Sequence, residues 1–148
     1  MIFVRSLLFL THLIGIALGV GAATVKLALL LKCKADSGFV PAFVMVSRPI
    51  TRLVVLGIIL MTLSGVVMMF VPGYPVTPRL IVKLVLVAAI WILGPLIDRV
   101  VDPRFQKLAP APGEAAPPAF LRAQKQFLML EGLATSLFYL IIAIWLIG

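Results

Sequence analysis

The chain has 148 residues, 63% of them hydrophobic and 12% charged, and its mean hydropathy of +1.22 exceeds what the surface of a water-soluble domain tolerates. One cysteine and one histidine exclude a disulfide framework, Cys-rich zinc or iron–sulfur sites, and any multi-histidine metal site within one copy. A net charge of +8 would point a soluble chain toward nucleic acid, but here the basic residues flank apolar runs, which reads as membrane topology and not as nucleic-acid binding.

Four apolar segments, Leu7–Leu31, Ile50–Val71, Leu80–Ile97 and Leu121–Ile147, approach the roughly 20 residues that a helix needs to cross a bilayer. They predict an all-α fold, one bundle of four transmembrane helices over residues 1–148 with lipid as its surroundings. Helices one to three are expected to neighbour one another through short loops, with helix four completing the bundle. Segment one opens after Arg5 and has small residues at Gly19–Ala23, like a signal peptide, but its apolar run continues to Leu31, which argues against cleavage. Segment three is short and meets Gly94-Pro95, where a helix can kink or stop, and segment four opens with an amphipathic turn bearing Arg122 and Lys125.

The first connection carries Lys32, Lys34, Arg48 and Arg52 with Asp36, and the second, residues 98–120 together with the opening of segment four, carries Arg99, Arg104, Lys107, Arg122 and Lys125. The opposite side offers Arg5 and Arg79, so nine basic residues against two place both connections in the cytoplasm and both chain ends outside. The outer turn is Pro72-Gly73-Tyr74-Pro75-Val76-Thr77-Pro78, and Tyr74 and Trp145 suit an outer aromatic belt. Residues 109–118 are a Pro/Ala stretch, a spacer or else a polyproline ligand for a soluble partner.

Ionisable groups at membrane depth are costly and therefore informative. With this topology His12 and Lys83 share the outer leaflet, and Lys26 and Glu131 the inner one. At ~100° per residue His12, Gly15, Gly19, Ala23 and Lys26 form one stripe on helix one. The matching faces are Thr51, Val55, Ile58, Thr62, Gly65 and Met69 on helix two; Lys83, Val87, Ile90 and Gly94 on helix three; Glu131, Thr135, Phe138 and Ile142 on helix four.

Each position carries two readings. Lys26 either snorkels to the headgroups or pairs with Glu131, and that pair either fixes helix packing or forms half of a proton path. His12 ligates metal or a tetrapyrrole, or hydrogen-bonds Thr62. Met61, Met68 and Met69 are soft ligands or apolar filler, Cys33 is an acylation site or an idle thiol, and Gly15-x-x-x-Gly19 packs within the chain or between copies.

The motifs Leu10-Thr11-His12-Leu13-Ile14-Gly15, Ser64-Gly65-Val66 and Arg79-Leu-Ile-Val-Lys83-Leu-Val-Leu-Val give residues 7–97 a resemblance to small four-helix bacterial membrane proteins of the copper-resistance-D-like and HemJ-like group. The chain looks nearest to that group's uncharacterised members. The resemblance implies an inner-membrane protein with haem b as cofactor, His12 as ligand to the haem iron, Lys83 beside an anionic group, and a redox role. Two other functions stand beside it: a non-catalytic accessory subunit of a larger membrane complex or homo-oligomer, and a small-solute or ion transporter using Glu131 and Lys26.

Overall fold

The computed structural model describes residues 2–71, 76–111 and 114–147. Its elements are helices α1 (Ile2–Ala35), α2 (Val40–Met69), α3 (Pro78–Leu96), α4 (Asp102–Lys107) and α5 (Pro118–Leu146), with a 3-10 turn at Ser37–Phe39 and a π-helical turn at Ile97–Val101. Among the described residues every regular element is helical, and four helical stretches are long and apolar enough to cross a membrane. Tyr74 and most of the turn around it lie outside the described residues; Trp145, near the end of α5, is exposed.

The helices outrun the apolar segments. With 34 residues, α1 measures about 50 Å at 1.5 Å per residue, against about 30 Å of hydrocarbon. The connection between the first two helices shrinks to a tight turn in which the Asp36 carboxylate accepts from Gly38 N at 2.9 Å, and Arg48 and Arg52 belong to α2. The loop expected at 98–120 is likewise helical as far as Lys107, because the π turn and α4 continue α3 past Pro95. Pro103 has no N–H to offer the preceding turn, and widening that turn to the π form accommodates it. Between α4 and α5 only the described residues 108–111 and 114–117 keep the character of a spacer.

What holds these extensions is a phenylalanine core at the end where α1 turns into α2. Phe43 of α2, Phe105 of α4 and Phe120 and Phe127 of α5 are all at most 1% exposed. Phe105 lies 5.7 Å from Phe43 and 5.4 Å from Phe127, both edge to face, a preferred aromatic geometry. Leu30, Cys33, Val40, Ile97 and Val101 complete the cluster. Beside it the buried Asp102 carboxylate accepts from Ser47 Oγ and from Gln106 Nε2, each at 2.9 Å, which ties α4 to α2. A second apolar cluster, with Val20, Ala23, Ile58, Met61, Ile90 and Phe138, fills the other half of the bundle.

Packing order departs from chain order. α1 lies tightly against α2 and also meets α5, whereas α3 packs chiefly on α5 and barely touches α1 and α2. The α1 stripe faces inward as expected, with Gly15, Gly19, Ala23 and Lys26 buried. A methyl group on Gly15 would lie 2.6 Å from Met61 N, and one on Gly57 would collide with the Gly19 backbone. The Gly15/Gly19 pair is therefore used within the chain, to bring α1 and α2 into backbone contact. The α2 face that meets α1 is Gly57, Met61 and Ser64, about one residue round from the face expected; Val55 is exposed. Small glycine surfaces won that contact because they allow the closest approach.

Candidate functional site

The gap between α2 and α3 is the consequence of that packing. It holds a cavity of about 300 Å³ whose lining draws on all four long helical stretches: Ala23 and Lys26 from α1, Thr51 to Ile58 from α2, Ile90 to Arg99 along α3 and the π turn, and Glu131 to Phe138 from α5. The expected helix-two face, Thr51, Val55 and Ile58, looks into this space. At one edge Trp91 Nε1 donates to Thr62 Oγ1 across 3.1 Å, linking α3 to α2.

The structure brings Lys26 and Glu131 together. Nζ lies 3.5 Å from Oε2, with the side chains 3% and 6% exposed, and Nζ also sits 5.2 Å from the centroid of the Phe127 ring, a cation–π contact. Lys26 is not snorkelling: α1 runs on for about two and a half turns beyond it, and the lysine is enclosed between the two apolar clusters. Asp98 and Arg99, both exposed, bring the cavity to the surface. The Thr51 hydroxyl oxygen is buried at the lining and has no hydrogen-bond partner.

His12 and Lys83 sit elsewhere; neither lines the cavity. His12 Nδ1 is 2.9 Å from the Met61 carbonyl and 3.0 Å from Ser64 Oγ. A carbonyl only accepts, so Nδ1 carries the proton and Nε2 keeps its lone pair. Thr62, the partner suggested by spacing, bonds Trp91 instead. Lys83 is half-buried on α3 and within electrostatic reach of the His12 ring. Met61 contributes its carbonyl to His12 and its side chain to the apolar core. Cys33 is 2% exposed inside the phenylalanine core, away from the surface that acylation requires. Among the described residues no group of three or more His, Cys, Asp or Glu is placed to hold a metal ion.

Asp98, Arg99, Trp91 and the Thr51 hydroxyl are the site residues that sequence reasoning missed or left unassigned. A signal for the first two was present: Ile90, Gly94, Ile97, Val101 and Phe105 continue a three-and-four spacing straight through the supposed loop.

What the fold and site define is a chain with four helical stretches of membrane-spanning length and a charged cleft that opens between two of them. No family model, no curated protein and no solved structure matches it.

Proposed function

We propose that the chain is a multi-pass protein of the bacterial inner membrane, with its phenylalanine-core end cytoplasmic and both termini outside, that binds a small solute in the cavity between α2 and α3 for transport or sensing. One observation carries the reading: the buried Lys26–Glu131 pair forms part of the wall of a cleft of about 300 Å³ that opens to the surface between α2 and α3. Burying two charges is expensive, and an apolar pair of similar volume commonly serves packing as well or better. Charges kept at membrane depth beside a cavity are there to meet something that enters it. The walls around them, Val54, Ile58, Ile90 and Phe138, are apolar, the usual make-up of a small-molecule pocket with a few polar groups to set orientation.

Paired cysteines on α2 test this. In a Cys33→Ala background, Ile58→Cys faces the cavity and Met61→Cys faces α1, although both native side chains are buried. A small hydrophilic thiol reagent should modify the first at least about tenfold faster. Equal rates would remove the accessible cavity and the reading with it.

A second reading follows the family resemblance, and one observation favours it. A ligating histidine typically donates its other ring N–H to a carbonyl, which fixes the tautomer, and His12 Nδ1 does so to Met61 O. The donor thus suits a haem iron. His12 would hold it and Lys83 would offset a propionate, on a site separate from the cavity; bound haem would supply one-electron chemistry. The absorption spectrum of detergent-purified protein is the test, with a Soret band that His12→Ala abolishes as the supporting result. A colourless preparation with stoichiometric co-purifying proteins would favour the accessory-subunit role.

A further inference from the structure

We infer that the cavity's ligand is a zwitterion of about amino-acid size, carrying an ammonium and an anionic oxygen group on an apolar body. The inference rests on the solute-binding reading above and names the chemistry of that solute.

Charge balance comes first. The lining has two cations, Lys26 and Arg99, and two anions, Glu131 and Asp98. A ligand with net charge would leave one charge uncompensated beside the enclosed Lys26–Glu131 pair, which costs far more than burying a neutral dipole. The arrangement is as informative as the sum. Lys26 and Glu131, enclosed, set one charge of each sign side by side, and Asp98 and Arg99, exposed on the π turn, bring one of each sign to the mouth. A molecule entering past the outer pair and stopping at the inner one meets both signs at each stage.

Hydrogen-bonding capacity is left over to receive it. The Lys26–Glu131 separation of 3.5 Å exceeds the roughly 2.7–2.9 Å of a fully formed charge-assisted bond. An ammonium has three donors and a carboxylate about four acceptor sites, so one mutual contact does not saturate either. The Thr51 hydroxyl at the lining and the Thr135 hydroxyl away from it are both buried without a partner, and such orphans in native structures call for an explanation. For Thr51, turning its hydroxyl into the cleft onto a ligand carboxylate or ammonium supplies one.

Size and walls complete the description. About 300 Å³ is ample for a branched aliphatic amino acid, since a single water needs about 10–15 Å³ on the same measure. Val54, Ile58 and Ile90 offer the apolar side of such a molecule its contact surface. The same pairing of ammonium and anionic oxygen also occurs in an ethanolamine phospholipid headgroup, a second source of the same chemistry.

The test uses full-length protein in phosphatidylcholine nanodiscs. Equilibrium dialysis with labelled L-leucine on the wild type should show saturable binding, weakened about tenfold by Thr51→Val. Protection of Ile58→Cys from the thiol reagent then compares L-leucine with its two halves, isopentylamine and 4-methylpentanoate. Leucine should slow modification at least about tenfold, and neither half should do so at equal concentration. Protection by added phosphatidylethanolamine in place of leucine would assign the same chemistry to a lipid headgroup. The proposal is overturned if either half protects as well as leucine, or if neither zwitterion protects or binds although Ile58→Cys reacts freely. That second outcome leaves the cavity accessible, whereas equal reactivity of Ile58→Cys and Met61→Cys removes the underlying reading itself.

Discussion

Gly57 of α2 lies so close to Gly19 of α1 that a methyl group on Gly57 would collide with the Gly19 backbone nitrogen and α-carbon. Backbone cannot step aside as a flexible side chain can, so Gly57→Ala must push the two helices apart. It should cost about 2 kcal/mol or more, within the overpacking range or above it. Gly21→Ala, whose added methyl meets nothing within 4 Å, should be neutral or slightly stabilising through helix propensity. Unfolding in mixed micelles with increasing denaturing detergent compares the two. Equal losses would show that the close α1–α2 contact contributes nothing particular.

Breaking the Lys26–Glu131 pair on one side strands the other charge. Lys26→Met leaves the Glu131 carboxylate in a site that is about 5% exposed, and loss of one partner of a buried pair costs about 3–5 kcal/mol. Lys26→Met/Glu131→Leu removes both charges and should recover most of that stability. If the pair serves only packing, the double variant should behave as wild type in every assay. The proposed function demands a different result, a stable protein in which leucine no longer protects Ile58→Cys.

Orientation makes its own demand on labelling. Val76 and Ala111 lie in non-helical segments at opposite ends of the helices, before α3 and between α4 and α5. In a Cys33→Ala background, Val76→Cys should react with an impermeant thiol reagent in intact cells and Ala111→Cys only after permeabilisation. The opposite pattern would invert the protein and put the mouth formed by Asp98 and Arg99 on the outer side.

Lys83 separates the two functional readings. If it offsets an anionic group of a cofactor held at His12, Lys83→Met should weaken cofactor binding by about tenfold to a hundredfold, the equivalent of roughly 1–3 kcal/mol. Cofactor per polypeptide in wild type and variant is the measurement. Unchanged occupancy and affinity would leave Lys83 as a lysine that reaches the headgroups along its own helix. Leucine protection should be unaffected by this change, because Lys83 does not line the cavity.

The all-helical architecture was legible because runs of about 20 apolar residues leave few alternatives. The inward stripe of α1, from Gly15 to Lys26, was legible because small residues recurring at helical spacing have few uses except close packing. Helix ends were not. Phe43, Phe105 and Phe120 fall outside the apolar runs, and Phe127 falls in the basic opening of the fourth, so none of them reads as part of a buried core although each ring is buried. Only their meeting in three dimensions shows that they form one core. The cavity was illegible for a different reason: it arises where α3 leans on α5 instead of α2, and the single-helix periodicities carry no record of which neighbour a face will choose.

The buried residues Ile97 and Phe105 are eight apart, and in a regular α-helix eight steps overshoot two turns by about 80°. The π turn between them absorbs the surplus residue, so both side chains reach the same core. Chain length at this point is therefore a quantity the fold can give back. Removing the exposed Val100 would shorten the interval to seven, restore ordinary helical winding, and keep both aromatic and aliphatic anchors in register, whereas a deletion anywhere in the regular part of α3 would rotate everything after it out of alignment. A fold kept on deleting Val100 and lost on deleting a residue in the regular part of α3 would mark the π turn as the place where the helix's length and its packing were adjusted to each other.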